Sequence, residues 1–190
     1  MILSMNYYVV ETDKHKLVPK TAGVKARADV ENIFKKNGFK AIEVPCLIEG
    51  RESKSGFGKL KAHYDVFKLW KNALKNMKKD DWLYIQFPLV EHTMLFSILI
   101  KNLEKRGIHT SIVIHDVEAI RFSLRNDVPY VQKFRMKCEE VSAFKNSSKV
   151  IVHNKRMKVF MHEKLKINRD KMVSLEIFDY LIENYDSHLL

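Results

Sequence analysis

Directly after the apolar stretch Ile108 to Ile114 come His115 and Asp116, followed closely by Glu118 and Arg121. Four polar side chains just past a buried strand are costly unless they are paired or put to use. A histidine and a carboxylate at the carboxyl end of a strand are what general acid/base chemistry requires. A structural alternative stands beside this: Asp116 caps the segment that follows, and Glu118 pairs with Arg121 at i, i+3. Spacing alone does not separate the two.

Other strand ends invite the same question, because ligands of open parallel α/β sheets bind at the carboxyl ends of strands. The long loop after the first strand leads into Thr21-Ala22-Gly23-Val24-Lys25-Ala26-Arg27. A small-residue turn at a helix N-terminus lets backbone N–H groups approach an anion, with Lys25 and Arg27 adding charge, although Gly23 would serve equally as a plain turn. Arg51 to Lys59, with Gly56 and Gly58 flanking Phe57, reads as a flexible surface loop. Pro88 ends the strand that carries Gln86, placing Gln86 and His92 near the sheet's carboxyl edge, as ligand contacts or in local hydrogen bonds. Asn154, at another strand end, is a candidate substrate contact and equally a good helix N-cap. HxxxH, HExxH and DxD patterns are absent, so no metal site is expected.

Elements able to position these groups are legible as β-rich runs alternating with helical periodicity. The strand candidates are Asn6 to Glu11, Phe39 to Val44, Trp82 to Phe87, Ile108 to His115, Lys149 to His153 and Met172 to Leu175. Several are nearly continuous in apolar character, which implies burial on both faces. The expectation is an α/β fold, a Rossmann-like, largely parallel sheet flanked by helices. Leu60, Tyr64, Phe67, Trp70, Leu74 and Met77 recur in steps of three or four and are expected to form one buried stripe, opposite a lysine-rich face. Val131, Phe134, Cys138, Val141 and Phe144 form a second such stripe, which makes Cys138 a core thiol. Gly38 and Gly107 are placed to end helices.

The 190 residues are 46% apolar and 30% charged, which suits one globular domain. Lys and Arg number 34 against 23 Asp and Glu, a formal net charge of +11 that favours an anionic partner. Two well-separated cysteines, Cys46 and Cys138, exclude a disulfide scaffold or zinc finger and point to a reducing compartment. No apolar run is long enough to span a bilayer, and a cytoplasmic protein is expected. Nucleic acid ranks last among anionic partners, because no recognisable binding motif accompanies the charge.

Four ordered segments carry a family resemblance: DWLYIQFPL (81–89), IHTSIVIHDVEAIR (108–121), SSKVIVHNKRM (147–157) and LEIFDYL (175–181). Together with TAGVKARADVENIF (21–34) they resemble bacterial glycosyltransferases of the galactofuranosyltransferase and accessory glucosyltransferase group. That group has the GT-B fold, builds surface polysaccharides and modifies serine-rich adhesins. The resemblance implies a GT-B N-terminal, acceptor-side domain over residues 1–176, with 177–190 starting an interdomain linker or C-terminal remnant. Family members continue into a donor domain, whereas this chain stops nine residues after Leu181. The donor half is therefore expected on a separate donor-domain polypeptide or lost by truncation.

The implied reaction is sugar transfer from a nucleotide sugar, a UDP-sugar by expectation, to a glycan or glycosylated acceptor, with no bound cofactor. By position Gly23 would border the interdomain cleft, and Asp116 would be the base, with His115 or Glu118 as alternatives. Arg121 would orient a carboxylate or meet phosphate. A non-catalytic glycan- or partner-binding module is the competing expectation. Two further partners are expected: peripheral contact with the inner membrane face through the lysine-rich helix, and a homo-oligomer formed through apolar residues of the C-terminal segment.

Overall fold

The computed structural model describes residues 4–12, 22–45, 56–89, 95–117 and 127–176. Six strands, β1 (Asn6–Thr12), β2 (Lys40–Pro45), β3 (Trp82–Phe87), β4 (His109–Ile114), β5 (Lys149–Val152) and β6 (Met172–Ser174), form one sheet. Among the described residues five α-helices alternate with them: α1 (Ala22–Lys36), α2 (Gly56–Ala73), α3 (Phe96–Lys105), α4 (Tyr130–Asn146) and α5 (Lys155–Leu165). Spatial order is β2-β1-β3-β4-β5-β6, and every pairing is parallel. The Rossmann-like α/β expectation is thus realised, each strand falling within a residue or two of its expected bounds. Successive strands are added on one side of β1 as far as β2 and on its other side from β3 onward, which makes the carboxyl ends of β1 and β3 the topological switch point of the sheet.

Side chains alternate across the strands and divide the core. On one face Leu83, Ile85, Phe87, Ile112 and Ile114 pack with Trp70, Phe96, Leu99, Ile100, Leu103 and Phe144 from the helices. Burial of each such side chain contributes about 1.5–3 kcal/mol. On the other, Tyr8 and Val113 pack with Val30 and Phe34 of α1, where Phe34 lies 5.2 Å from the rings of Phe39 and Tyr84. Tyr84 and Gln86 share this α1-facing side by the two-residue period of the strand.

Element ends are tied by side chains. Glu104 at the end of α3 accepts from Thr110 N (2.8 Å), Ser148 N (2.8 Å) and Ser148 Oγ (2.7 Å), joining the starts of β4 and β5. Arg106 donates to the carbonyls of Leu74, Lys75 and Met77 just beyond α2, where a helix leaves acceptors unsatisfied. Gly38 and Gly107 follow α1 and α3 with φ of +76° and +74°, as expected for helix-ending glycines.

Both helical stripes need correction. Helix α2 buries His63, Val66 and Trp70, with Leu74 and Met77 beyond its end, but Leu60 and Tyr64 are exposed. Gly56, Phe57 and Gly58, expected in a loop, form the first turn of α2, while 51–55 lie outside the described residues. Helix α4 buries Glu140, Ala143 and Phe144 and leaves Val131, Phe134 and Cys138 exposed. It packs on α3, where Ser97 Oγ donates to Glu139 Oε2 at 2.9 Å, so the packed side of α4 carries polar groups. Among the described residues no helix is long and apolar enough to cross a membrane.

Candidate functional site

Strand β3 brings Gln86 to the switch point beneath α1, in a buried position. Its Nε2 donates to the Arg27 carbonyl at 3.2 Å and to Glu31 Oε1 at 3.3 Å. A backbone carbonyl only accepts, so this end of the side chain is the NH2 group and the other is the oxygen. That oxygen lies 2.7 Å from His115 Nε2. His115 therefore carries its proton on Nε2, and Nδ1 presents a lone pair.

The position of His115 follows from β4. Its amide donates to the Phe87 carbonyl at 2.8 Å, extending the β3–β4 ladder one step past Ile114. Val113 and His115 thus face the α1 side, where Val113 meets Val30 and Phe34. The buried Nδ1 atom has no hydrogen-bond partner among the described residues. Burial, then the Arg27 charge, then His153, lower the His115 pKa to about 4. The ring is neutral at physiological pH and offers Nδ1 as an acceptor. His153 stands at the end of β5 with its ring centroid 6.2 Å away, and its Nε2 lies 3.3 Å from the His115 carbonyl.

Arg27 holds the other side of the cluster. Its guanidinium donates to the Pro88 carbonyl and lies 3.7 Å from Glu11 Oε2 at the end of β1. Glu31, one helical turn further along α1, has its pKa raised by burial against the opposing pull of Arg27. A cation, two carboxylates, an amide and an imidazole thus converge where β1, β3 and β4 end. The cluster joins the exits of β1, β3 and β4 through hydrogen bonds and charge, and leaves Nδ1 able to accept one further hydrogen bond.

Of the residues singled out in the sequence, Arg27, Gln86 and His115 are brought together. Asp116 follows His115, and its Oδ1 accepts from the amide of the next residue, Val117, at 2.8 Å, while the segment it was expected to cap lies outside the described residues. Lys25 is bound to Asp29 at 2.9 Å, and Gly23 lies in the first turn of α1. Asn154 accepts from Met157 N at 2.9 Å as the N-cap of α5. Glu118, Arg121 and His92 lie outside the described residues. Glu31 was missed, although its i, i+4 spacing from Arg27 was a readable signal. No group of three or more His, Cys, Asp or Glu that could hold a metal ion occurs among the described residues.

A family model described as "Glucosyltransferase 3-like, N-terminal domain" matches residues 6–177. No curated protein matches the chain.

Proposed function

Because this chain belongs to the glucosyltransferase 3-like N-terminal domain family, we propose that it is the acceptor-side half of a GT-B glycosyltransferase of the galactofuranosyltransferase and accessory glucosyltransferase group. The donor is a UDP-sugar and the acceptor a glycan or glycosylated molecule, and transfer requires a donor domain. The supporting observation is the neutral His115 at the switch point, its Nε2 proton held by Gln86 and its Nδ1 unpartnered among the described residues. Such a nitrogen accepts a hydrogen bond from a sugar hydroxyl and orients it.

In the transfer step the acceptor oxygen forms a bond to the anomeric carbon as the bond from that carbon to the UDP oxygen breaks. The hydroxyl proton goes to a base, for which Asp116 is the candidate. A ring with a pKa near 4 is a weak base, which suits His115 to positioning rather than to keeping the proton. In this reading His115 Nδ1 accepts from a substrate hydroxyl, Gln86 fixes the tautomer that frees it, and Arg27 braces β1 against the β3 exit.

Calorimetric titration with UDP, UDP-glucose and UDP-galactose, for the chain alone and with a donor domain from a related full-length protein fused to it, tests the reading. Turnover is expected in the fusion, with His115→Gln raising KM for the acceptor and Asp116→Asn lowering kcat about 100-fold or more. A correctly folded fusion without turnover on any UDP-sugar would favour a glycan-binding module. Full turnover after Asp116→Asn would remove Asp116 as the base.

A further inference from the structure

We propose that the outward flank of α2 is a docking surface for an anionic lipid bilayer. Phe57, Leu60 and Tyr64 are 89%, 52% and 48% exposed. At 3.6 residues per turn they share an arc of about 100° with Lys61, Lys68 and Lys71, each of which is exposed. The cations and rings are contiguous: Lys68 Nζ lies 4.8 Å from the Tyr64 ring centroid and Lys71 Nζ 5.8 Å from that of Phe67. Asp65 is the sole acidic residue of α2. Exposed Lys75, Lys78 and Lys79 carry the positive charge on past the helix end.

Charge complementarity selects the occupant. Exposed large apolar side chains grouped on one surface mark an interaction site. The core of a protein–protein interface is depleted in lysine, whereas here lysines are interleaved with the apolar row. Leu60 has no π face on which a nucleic-acid base could stack. An anionic bilayer satisfies both components: the apolar row enters the headgroup–acyl boundary while the lysines reach lipid phosphates along their aliphatic stems. The opposite flank stays anchored in the core through Val66 and Trp70, so docking needs no unfolding of α2.

The test is co-sedimentation of the full chain with phosphatidylglycerol/phosphatidylcholine vesicles and with pure phosphatidylcholine vesicles, at low and high salt. The protein is expected to pellet with the anionic vesicles at low salt, about fivefold or more above its pelleting with neutral ones. The triple variants Phe57→Ser/Leu60→Ser/Tyr64→Ser and Lys61→Gln/Lys68→Gln/Lys71→Gln should each reduce the bound fraction about fivefold while keeping the wild-type thermal midpoint. A blue shift in the added emission of Phe57→Trp on vesicles reports insertion directly. Failure to pellet with anionic vesicles, undiminished pelleting of both triple variants, or an unshifted Phe57→Trp emission on pelleted protein would each overturn the proposal. So would binding to polyuridylate without any binding to vesicles.

Discussion

His115 owes its charge state to where β4 ends. Its pKa falls from 6.5 to about 4 in the folded protein, so between those values the unfolded chain binds a proton that the folded one does not. Stability is then fully present above pH 6.5 and is lost as pH falls toward 4. The loss is on the order of 2 kcal/mol, less than the whole shift implies because the ring is only partly buried. Urea unfolding of wild type and His115→Asn between about pH 7.5 and about pH 4 should give a stability difference that shrinks with acidification. A constant difference would mean that folding leaves the ring's pKa where it is in the unfolded chain. Cys138 offers a simpler check: exposed on α4, it should react with a disulfide reagent in the native state, in a Cys46→Ser background, at nearly the rate seen in denaturant. Protection would restore the core thiol expected from apolar spacing.

Helix α3 ends at Gly107, where two constraints meet that separate at Gly38. Both glycines have positive φ, but a Cβ on Gly38 meets nothing within 4 Å, whereas one on Gly107 would sit 2.8 Å from Lys79 Cγ. Gly38→Ala should cost about 1 kcal/mol, from the backbone alone. Gly107→Ala should cost about 2–3 kcal/mol, because the exposed Lys79 stem must also shift. In a Lys79→Ala background the nearest remaining contact is the Cβ at 3.6 Å, and the two glycine substitutions should then cost the same. Chemical denaturation of the two glycine variants in each background, against wild type and Lys79→Ala, measures this, and an unchanged gap in the Lys79→Ala background would assign it to the loop backbone.

Across the molecule, the two apolar clusters lie on opposite faces of one sheet and share strands β1 and β4. Neither face can open without exposing the other, so unfolding followed by tryptophan fluorescence and by far-ultraviolet circular dichroism should give coincident transitions. Separated midpoints would indicate that the α1 face opens independently. A net charge of +11 makes any association with an anionic partner weaken as salt is raised.

The amino-acid sequence by itself determined the order of elements and the kind of fold. Runs such as Trp82–Phe87 and His109–Ile114 are β-rich and apolar enough to be buried on both faces, and that pattern is local. It also placed Gln86 and His115 at strand ends. The rotation of α2 and α4 about their axes was decided only in three dimensions. Each helix carries more apolar residues than one face needs, and contact with the sheet and α3 selects which are covered, leaving Phe57, Leu60, Phe134 and Cys138 outside. The candidate site depended on the same step: Gln86 meets Arg27 across 59 positions and His115 across 29. Neither bond leaves a periodic trace in the chain: the first joins α1 to β3 beside the switch in strand order, and the second joins the ends of the neighbouring strands β3 and β4.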